Sequence, residues 1–308
     1  MESSCRMEGK FSIVTGANSG IGYETALGLA RMGSVVVTVA KDRGRGERAR
    51  RRIIAASGNP HVYLEIADLS SQRDVRDLAQ KYKKRFPRLD VLVNNAGILI
   101  NTLRKSKDGY ELTFATNYLG PFLLTSLLLG ILKKSAPSRI VNVSSFAHRF
   151  TNDFDFDALD MNQVSSPQSY TQSKLALIMF TYELAKRLEG TGVSVNVLNP
   201  GLVRTNVGKD LTGFMKVIAG VSKLFAVSPE KGAQTSIYLA SSPEVRGVTG
   251  RYFYKSRQKI SSKASYRIAD WWKLWEISEK LTHTSIEQTA KKSEIIPVTV
   301  PYEEYVRH

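Results

Sequence analysis

Apolar positions along the chain fall into two rhythms. Short continuous runs read as buried strands at Lys10–Thr15, Val35–Val39, Val62–Ala67, Val91–Val93, Arg139–Val143, Val193–Leu198 and Tyr252–Tyr254. Between them, apolar residues three and four apart read as helices, as with Tyr23, Ala26, Leu27 and Ala30 after the first strand. A polar helix starts near Ser71, and a long one spans Glu111–Leu132. Ser228-Pro229-Glu230-Lys231 reads as a helix start, with a capping serine, a first-turn proline and an acid. Strand and helix alternate throughout, which predicts an α/β fold: a Rossmann-type doubly wound parallel sheet flanked by helices, with ligands at the carboxyl ends of the strands. No internal repeat or linker divides the chain. Residues 1–256 are therefore expected to form one domain, with 257–308 a helical C-terminal extension attached to it.

Composition narrows the setting. The 308 residues carry a formal charge of +16 and one cysteine, Cys5, so no intramolecular disulfide can form, which fits a reducing compartment. The first strand begins near Lys10 and leaves no space for a signal peptide or membrane anchor before it. The longest apolar run, Leu119–Leu132, is short for a bilayer and contains Gly120, Pro121, Thr125 and Gly130. A cytoplasmic location is the resulting expectation. The densest basic cluster, Lys41 to Arg52, reads mostly as a solvated helix face. With no recognised binding motif beside it, nucleic acid is not an expected partner.

Chemistry gathers at the predicted strand ends. Gly16-Ala17-Asn18-Ser19-Gly20-Ile21-Gly22 joins the first strand to a helix, a context in which main-chain N–H groups and the helix dipole receive a pyrophosphate. The second strand ends on Ala40 and Lys41 with no carboxylate at its first exit position. Lys41 and Arg43 would attract an adenosine 2′-phosphate, so NADP(H) is expected in preference to NAD(H). Asp42 complicates that reading, because an acid there suits a free 2′-hydroxyl. Asp68-Leu69 and Asn94-Asn95-Ala96-Gly97 close the third and fourth strands, and Ser144-Ser145 the fifth.

Tyr170 and Lys174 stand four apart on a predicted helix, so their polar ends share a face. An ammonium beside a phenol favours the phenolate, lowering the tyrosine pKa and making it a proton donor and acceptor. The spacing alone is common on solvated helices. The four histidines, His61, His148, His283 and His308, show no ligand spacing, and no metal site is expected. His148 reads as structural or solvent-exposed rather than as part of a substrate mouth.

Taken together, Thr15-Gly16-x-x-x-Gly20-x-Gly22, Asn94-Asn95-Ala96-Gly97, Ser145, Tyr170-x-x-x-Lys174 and Pro200-Gly201 resemble the short-chain dehydrogenases/reductases from about Lys10 to Tyr254. Asn18-Ser19, Val143-Ser144-Ser145-x-Ala147-His148, Thr116-Asn117-Tyr118-Leu119-Gly120 and Glu230-Lys231-Gly232-Ala233-Gln234-Thr235 resemble the retinol dehydrogenase branch. The resemblance implies an NADP(H)-dependent oxidoreductase moving hydride between nicotinamide and a carbonyl or alcohol substrate, a hydrophobic aldehyde or ketone. It implies Tyr170 as general acid/base, Lys174 lowering its pKa and holding the nicotinamide ribose, and Ser145 orienting the substrate oxygen. Asn117 would hold a water linking Lys174 to solvent. Gly16, Asn18, Ser19, Gly20, Ile21 and Gly22 would carry the pyrophosphate. Asp68 and Leu69 would meet the adenine, Asn95, Ala96 and Gly97 the adenosine side, and Pro200, Gly201 and Thr205 the nicotinamide end. Membrane-bound members of the branch carry an N-terminal hydrophobic anchor that this sequence does not show, and Lys41 stands where the branch has arginine.

Ile268, Trp271, Trp272, Leu274, Trp275, Ile277 and Leu281 trace a further helix with lysines between them. It reads first as packing on the core, and second as a peripheral membrane contact. The segment Gly208–Val227 reads as a lid over the substrate, and Lys291–His308 as an arm. In the family, helices such as those carrying Asn117 and Tyr170 form a subunit interface, which makes a homodimer the expected assembly. The other classes left open are a catalytically silent nucleotide-binding protein and a basic nucleic-acid-binding protein.

Overall fold

The computed structural model describes residues 6–100, 102–156, 166–203 and 227–285. Thr205, the segment expected as a lid up to residue 226 and the C-terminal arm lie outside the described residues. Eight strands form one sheet in the order β3-β2-β1-β4-β5-β6-β7-β8. They are β1 (Phe11–Thr15), β2 (Val35–Ala40), β3 (Val62–Ile66), β4 (Val91–Asn94), β5 (Ser138–Val143), β6 (Val193–Asn199), β7 (Tyr252–Tyr254) and β8 (Arg257–Lys259). The first seven are parallel, with Ile13 level with Val37 on one side and Leu92 on the other. All seven expected strands are present within a residue or so of their predicted bounds.

The eighth was not expected. β8 pairs antiparallel with β7 through a tight turn at Lys255 and Ser256, whose φ values are +50° and +56°. Hairpin turns of that handedness normally carry Asn or Gly, so the turn has no sequence signal here. The sheet thus extends past residue 256, where the sequence suggested it would stop.

Both faces of the sheet are covered, and the strand side chains alternate between two cores. Ile13, Leu92, Ile140 and Val195 face one core, while Val14, Val93, Val141 and Leu198 face the other. The second core is closed by α1 (Gly20–Arg31), α2 (Arg43–Ser57) and α6 (Pro229–Ser241). The first is closed by α3 (Gln72–Arg85), α4 (Leu112–Lys134), α5 (Ser166–Arg187) and α7 (Ile268–Thr282). Caps explain several starts: Asp42, Ser71 and Ser228 accept main-chain N–H bonds at the heads of α2, α3 and α6.

Helix α4 is not uniform. Residues Ala115–Leu119 form a π turn, with Asn117 at its centre. Such turns cluster at functional positions because they re-aim a side chain without ending the helix. Among the described residues α4 is the one helix long and apolar enough to cross a membrane, but 72 % of its apolar window is buried in this fold.

Helix α7 packs on the core. Trp275 is 2 % exposed, stacks on Phe180 at 5.8 Å and meets Phe122 edge-on at 5.2 Å. Trp271 is also buried and donates its indole N–H to the Ser265 carbonyl at 2.7 Å. Of the three tryptophans on α7, only Trp272 stays exposed, one helical turn on from exposed Ile268.

Candidate active site

The site is assembled at the carboxyl ends of β1, β4, β5 and β6. At the end of β1, Gly16 and Gly20 both take left-handed conformations and turn the chain into α1. A Cβ on Gly22 would lie 2.4 Å from Asn95 Nδ2 and 2.5 Å from the Gly16 carbonyl oxygen, so no larger residue fits. Ser19 takes the cap position of α1 without a side-chain cap bond, and the first turn holds no acid. Neither the cap residue nor the first turn of α1 therefore supplies an anion to its leading N–H groups and positive dipole end. That absence of a cap, together with the close-fitting glycine cradle, fits a pyrophosphate.

Thr15 ties this turn to the next strand end. Its hydroxyl donates to the Val93 carbonyl and accepts from Asn95 N at 2.9 Å and Ala96 N at 3.0 Å. Asn95 returns a bond from Nδ2 to the Thr15 carbonyl at 2.8 Å. Ala96 lies against Gly16, and Ile21 and Asn18 flank the turn. Asn94, by contrast, points into the sheet. It donates to Thr125 and Asn142, and Asn142 donates to Thr181, a buried polar thread running α4–β4–β5–α5.

At the end of β2, Lys41 forms an ion pair with Asp68 at 2.7 Å, joining the two residues expected on the adenosine side. Burial pushes the Asp68 carboxyl up, but hydrogen bonds from Lys41 and Ser70 outweigh it and hold it below the usual range. Asp42 accepts from Arg45 N at 2.7 Å as the cap of α2, which occupies the carboxylate that had complicated the cofactor reading. Arg43 opens α2 and is exposed, while Leu69 is buried beneath the β3 exit.

Ser144 and Ser145, adjacent in sequence, face different partners. Ser144 is buried and donates to the Lys174 carbonyl at 2.8 Å. The Ser145 hydroxyl, which accepts Ala147 N–H at 3.2 Å, lies on the Tyr170 side and favours the ionised phenol. Lys174 donates from Nζ to the Val143 carbonyl at 3.0 Å. A Cβ on Gly97 would stand 3.2 Å from that Nζ and 3.3 Å from Asn117 Oδ1, so glycine lets three elements converge here. Pro200 and Gly201 follow β6, with Gly201 N–H held by Asn199 Oδ1 at 3.0 Å.

One sequence expectation needs correction. Burial raises the Tyr170 phenol, with neighbouring Ser145 opposing, whereas a lowering by Lys174 was expected. Desolvation dominates, and it also pulls Lys174 itself down to about 8. The Asn117 side chain is engaged by protein. Oδ1 accepts from Ile98 N at 2.8 Å, and Nδ2 donates to the Ile98 carbonyl and to Ser173 Oγ.

Three residues at the site had gone unnoticed in the sequence. Ser173 takes the Asn117 bond, and Ser169 donates to buried Glu111. Their spacing of four residues repeats that of Tyr170 and Lys174, which is the signal that could have found them. His148 is fully buried, with Nδ1 2.6 Å from the Ser145 carbonyl, and burial lowers its pKa to about 4. It is structural, consistent with one of the two readings its sequence position allowed.

Residues 10–215 match the short chain dehydrogenase family. Over 292 residues the chain is 47 % identical to retinol dehydrogenase 14 of Homo sapiens, covering 89 % of this chain and 86 % of that one. A solved structure of an uncharacterised protein from Mycobacterium paratuberculosis superposes with a TM-score of 0.74 at 30 % identity, covering 92 % of this chain and 96 % of that one. A structure assigned to an NAD(P)-dependent gluconate 5-dehydrogenase from Beutenbergia cavernae, with bound NADP, gives 0.67 at 26 % identity, covering 82 % and 97 %. The chain belongs to the short-chain dehydrogenase/reductase family, in its retinol dehydrogenase-like part. It is accordingly an oxidoreductase built for a nicotinamide cofactor and a small-molecule substrate.

Proposed function

We propose that this protein is an NADP(H)-dependent reductase of hydrophobic aldehydes or ketones, retinal-like or otherwise lipid-derived, with Tyr170 as the general acid/base. The observation that carries the reading is the convergence of Tyr170 and Lys174 beside Ser145: the ammonium lies 5.7 Å from the phenol ring centroid, anchored on the Val143 carbonyl, and Gly97 leaves room beside it. The bound nicotinamide supplies the hydride. Tyr170 delivers the proton to the carbonyl oxygen, and the Ser145 hydroxyl donates to the negative charge that develops there. Lys174, on its Val143 anchor, stabilises the phenolate left on Tyr170 and would hold the ribose hydroxyls of a bound cofactor. Asn117 pins the loop after β4 to α5 and so keeps these groups in register.

Lys41 favours the 2′-phosphate, and Asp42 is already engaged as a helix cap. The apolar substrate class is supported by the exposed side chains that follow the strand ends: Leu103 after β4, Phe146 and Phe150 after Ser145, and Leu202 after Gly201. Phe146 and Phe150 meet edge-to-face at 5.7 Å. Exposed aromatics beside a polar site form an apolar wall suited to a long or ringed substrate. The α4/α5 face expected to join two subunits is covered by α7 of the same chain, which favours a monomer over a homodimer through that face.

The test is turnover of retinal, long-chain, steroid and aromatic carbonyls with NADPH and with NADH. Tyr170→Phe should lose turnover by a factor of about a thousand or more while binding NADPH nearly as wild type. Full activity in that variant would remove the mechanism.

A further inference from the structure

We propose that Glu111 is a positioning residue for Tyr170, acting through the Ser169 hydroxyl; this rests on Tyr170 being the acid/base of the reaction. Glu111 is 1 % exposed and sits at the head of α4. Its Oε1 accepts Thr113 N–H at 2.9 Å, and its Oε2 accepts Phe114 N–H at 2.7 Å together with the Ser169 hydroxyl. A buried carboxylate is tolerated only when hydrogen bonds replace its water. Here two donors come from α4 and the third from α5, at the residue immediately before Tyr170. All three are donors, which suits an acceptor-only carboxylate; a glutamine amide would set N–H against N–H.

One turn further along α5, Ser173 accepts from Asn117 Nδ2 at 3.1 Å. Ser169 and Ser173 therefore form a fully buried stripe facing α4, latched at Glu111 and at Asn117. Tyr170 and Lys174 form the adjacent stripe, facing Ser145, Val143 and Gly97. Asn117 holds α5 at Ser173, and Gln172 ties the helix to Thr151 and Asp153. The Glu111 latch sits at the level of Tyr170 and adds a restraint on rotation of α5 about its own axis there. A rotation of about ten degrees would carry a phenol tip roughly 1.5 Å sideways, given the helix radius and the length of a tyrosine. Misplacement by about 1 Å can slow a reaction by about a hundredfold.

Ser169→Ala removes the latch while leaving both helix-capping bonds of Glu111 intact. Compared with wild type, its kcat should fall tenfold or more, with the NADPH Kd and the Tm little changed. Adding Ser169→Ala to Glu111→Gln should lower kcat no further than Glu111→Gln alone, because both act on the same contact. A Ser169→Ala enzyme that keeps kcat within twofold of wild type overturns the proposal. So does a loss in which NADPH affinity and Tm fall together with kcat, since that marks a purely structural role. If Glu111→Gln does not fold, Ser169→Ala still decides. Tyr170→Phe is measured alongside: wild-type turnover in that variant removes the acid/base assignment, whereas its inactivity beside an unaffected Ser169→Ala removes the latch alone.

Discussion

The Lys174 ammonium lies 5.7 Å from the centroid of the Tyr170 ring, close enough for a cation–π contact, while its proton is directed to the Val143 carbonyl. The lysine is thus anchored by main chain rather than by a carboxylate. Among the described residues no carboxylate pairs with it, and burial pulls its pKa to about 8 from 10.5.

That arrangement sets a sign for stability. The folded lysine releases its proton near pH 8 and the unfolded one near 10.5, so the unfolded state binds more protons between those values and stability rises with pH across them. Lys174→Met should therefore stabilise the fold at pH 7 by on the order of 2 kcal/mol, with the gain fading above about pH 10, even as turnover is lost. Urea titrations at pH 7, 9 and 10.5 measure this; a variant less stable at pH 7 would contradict it.

His148 gives the opposite end of the pH range. Burial lowers it to about 4 from 6.5, with its bond to the Ser145 carbonyl opposing. The unfolded state takes up the proton first, so stability is full above pH 6.5 and is lost as pH falls towards 4. His148→Asn, which can keep a donor on that carbonyl, should reduce the loss between pH 7.5 and 4.5 by roughly 2–3 kcal/mol. The readout is the change in urea midpoint between the two pH values.

Cofactor choice should turn on Lys41. A charge-assisted bond to phosphate is worth about 1.5–3 kcal/mol, so Lys41→Ser should raise KM for NADPH about 10- to 100-fold and leave KM for NADH within about threefold. Equal changes for both cofactors would mean that Lys41 acts only through its ion pair with Asp68.

Helix α7 should be needed to keep α4 and α5 apart from other chains. Trp275→Ala removes a side chain packed on Phe122 and Phe180 and should cost about 3–5 kcal/mol. Light scattering should find a single-subunit mass for the wild type. Self-association of Trp275→Ala would show the uncovered face seeking a partner.

Much of this protein is legible from local pattern. The seven parallel strands, the glycine turn and the Tyr170–Lys174 face all follow from periodicities and spacings that span a few residues, whereas the choice of Ser145 over Ser144 rests on the family resemblance. What escaped that reading depends on chain segments distant in sequence. Glu111 and Ser169 are 58 positions apart, and Asn94 and Asn142 are 48 apart. The pKa of Tyr170 failed for a related reason: spacing places the lysine beside it, but the degree of burial decides which electrostatic effect dominates.

The sequence by itself determined the alternating layers and the line of chemistry along the strand ends, because backbone geometry makes side-chain direction periodic. Tertiary structure alone decided that α7 closes the α4/α5 face, that Lys41 pairs with Asp68, and that a second stripe on α5 holds the first in place. Those contacts depend on how helices dock against the sheet, and docking is set by the fit of whole surfaces rather than by any short stretch of residues.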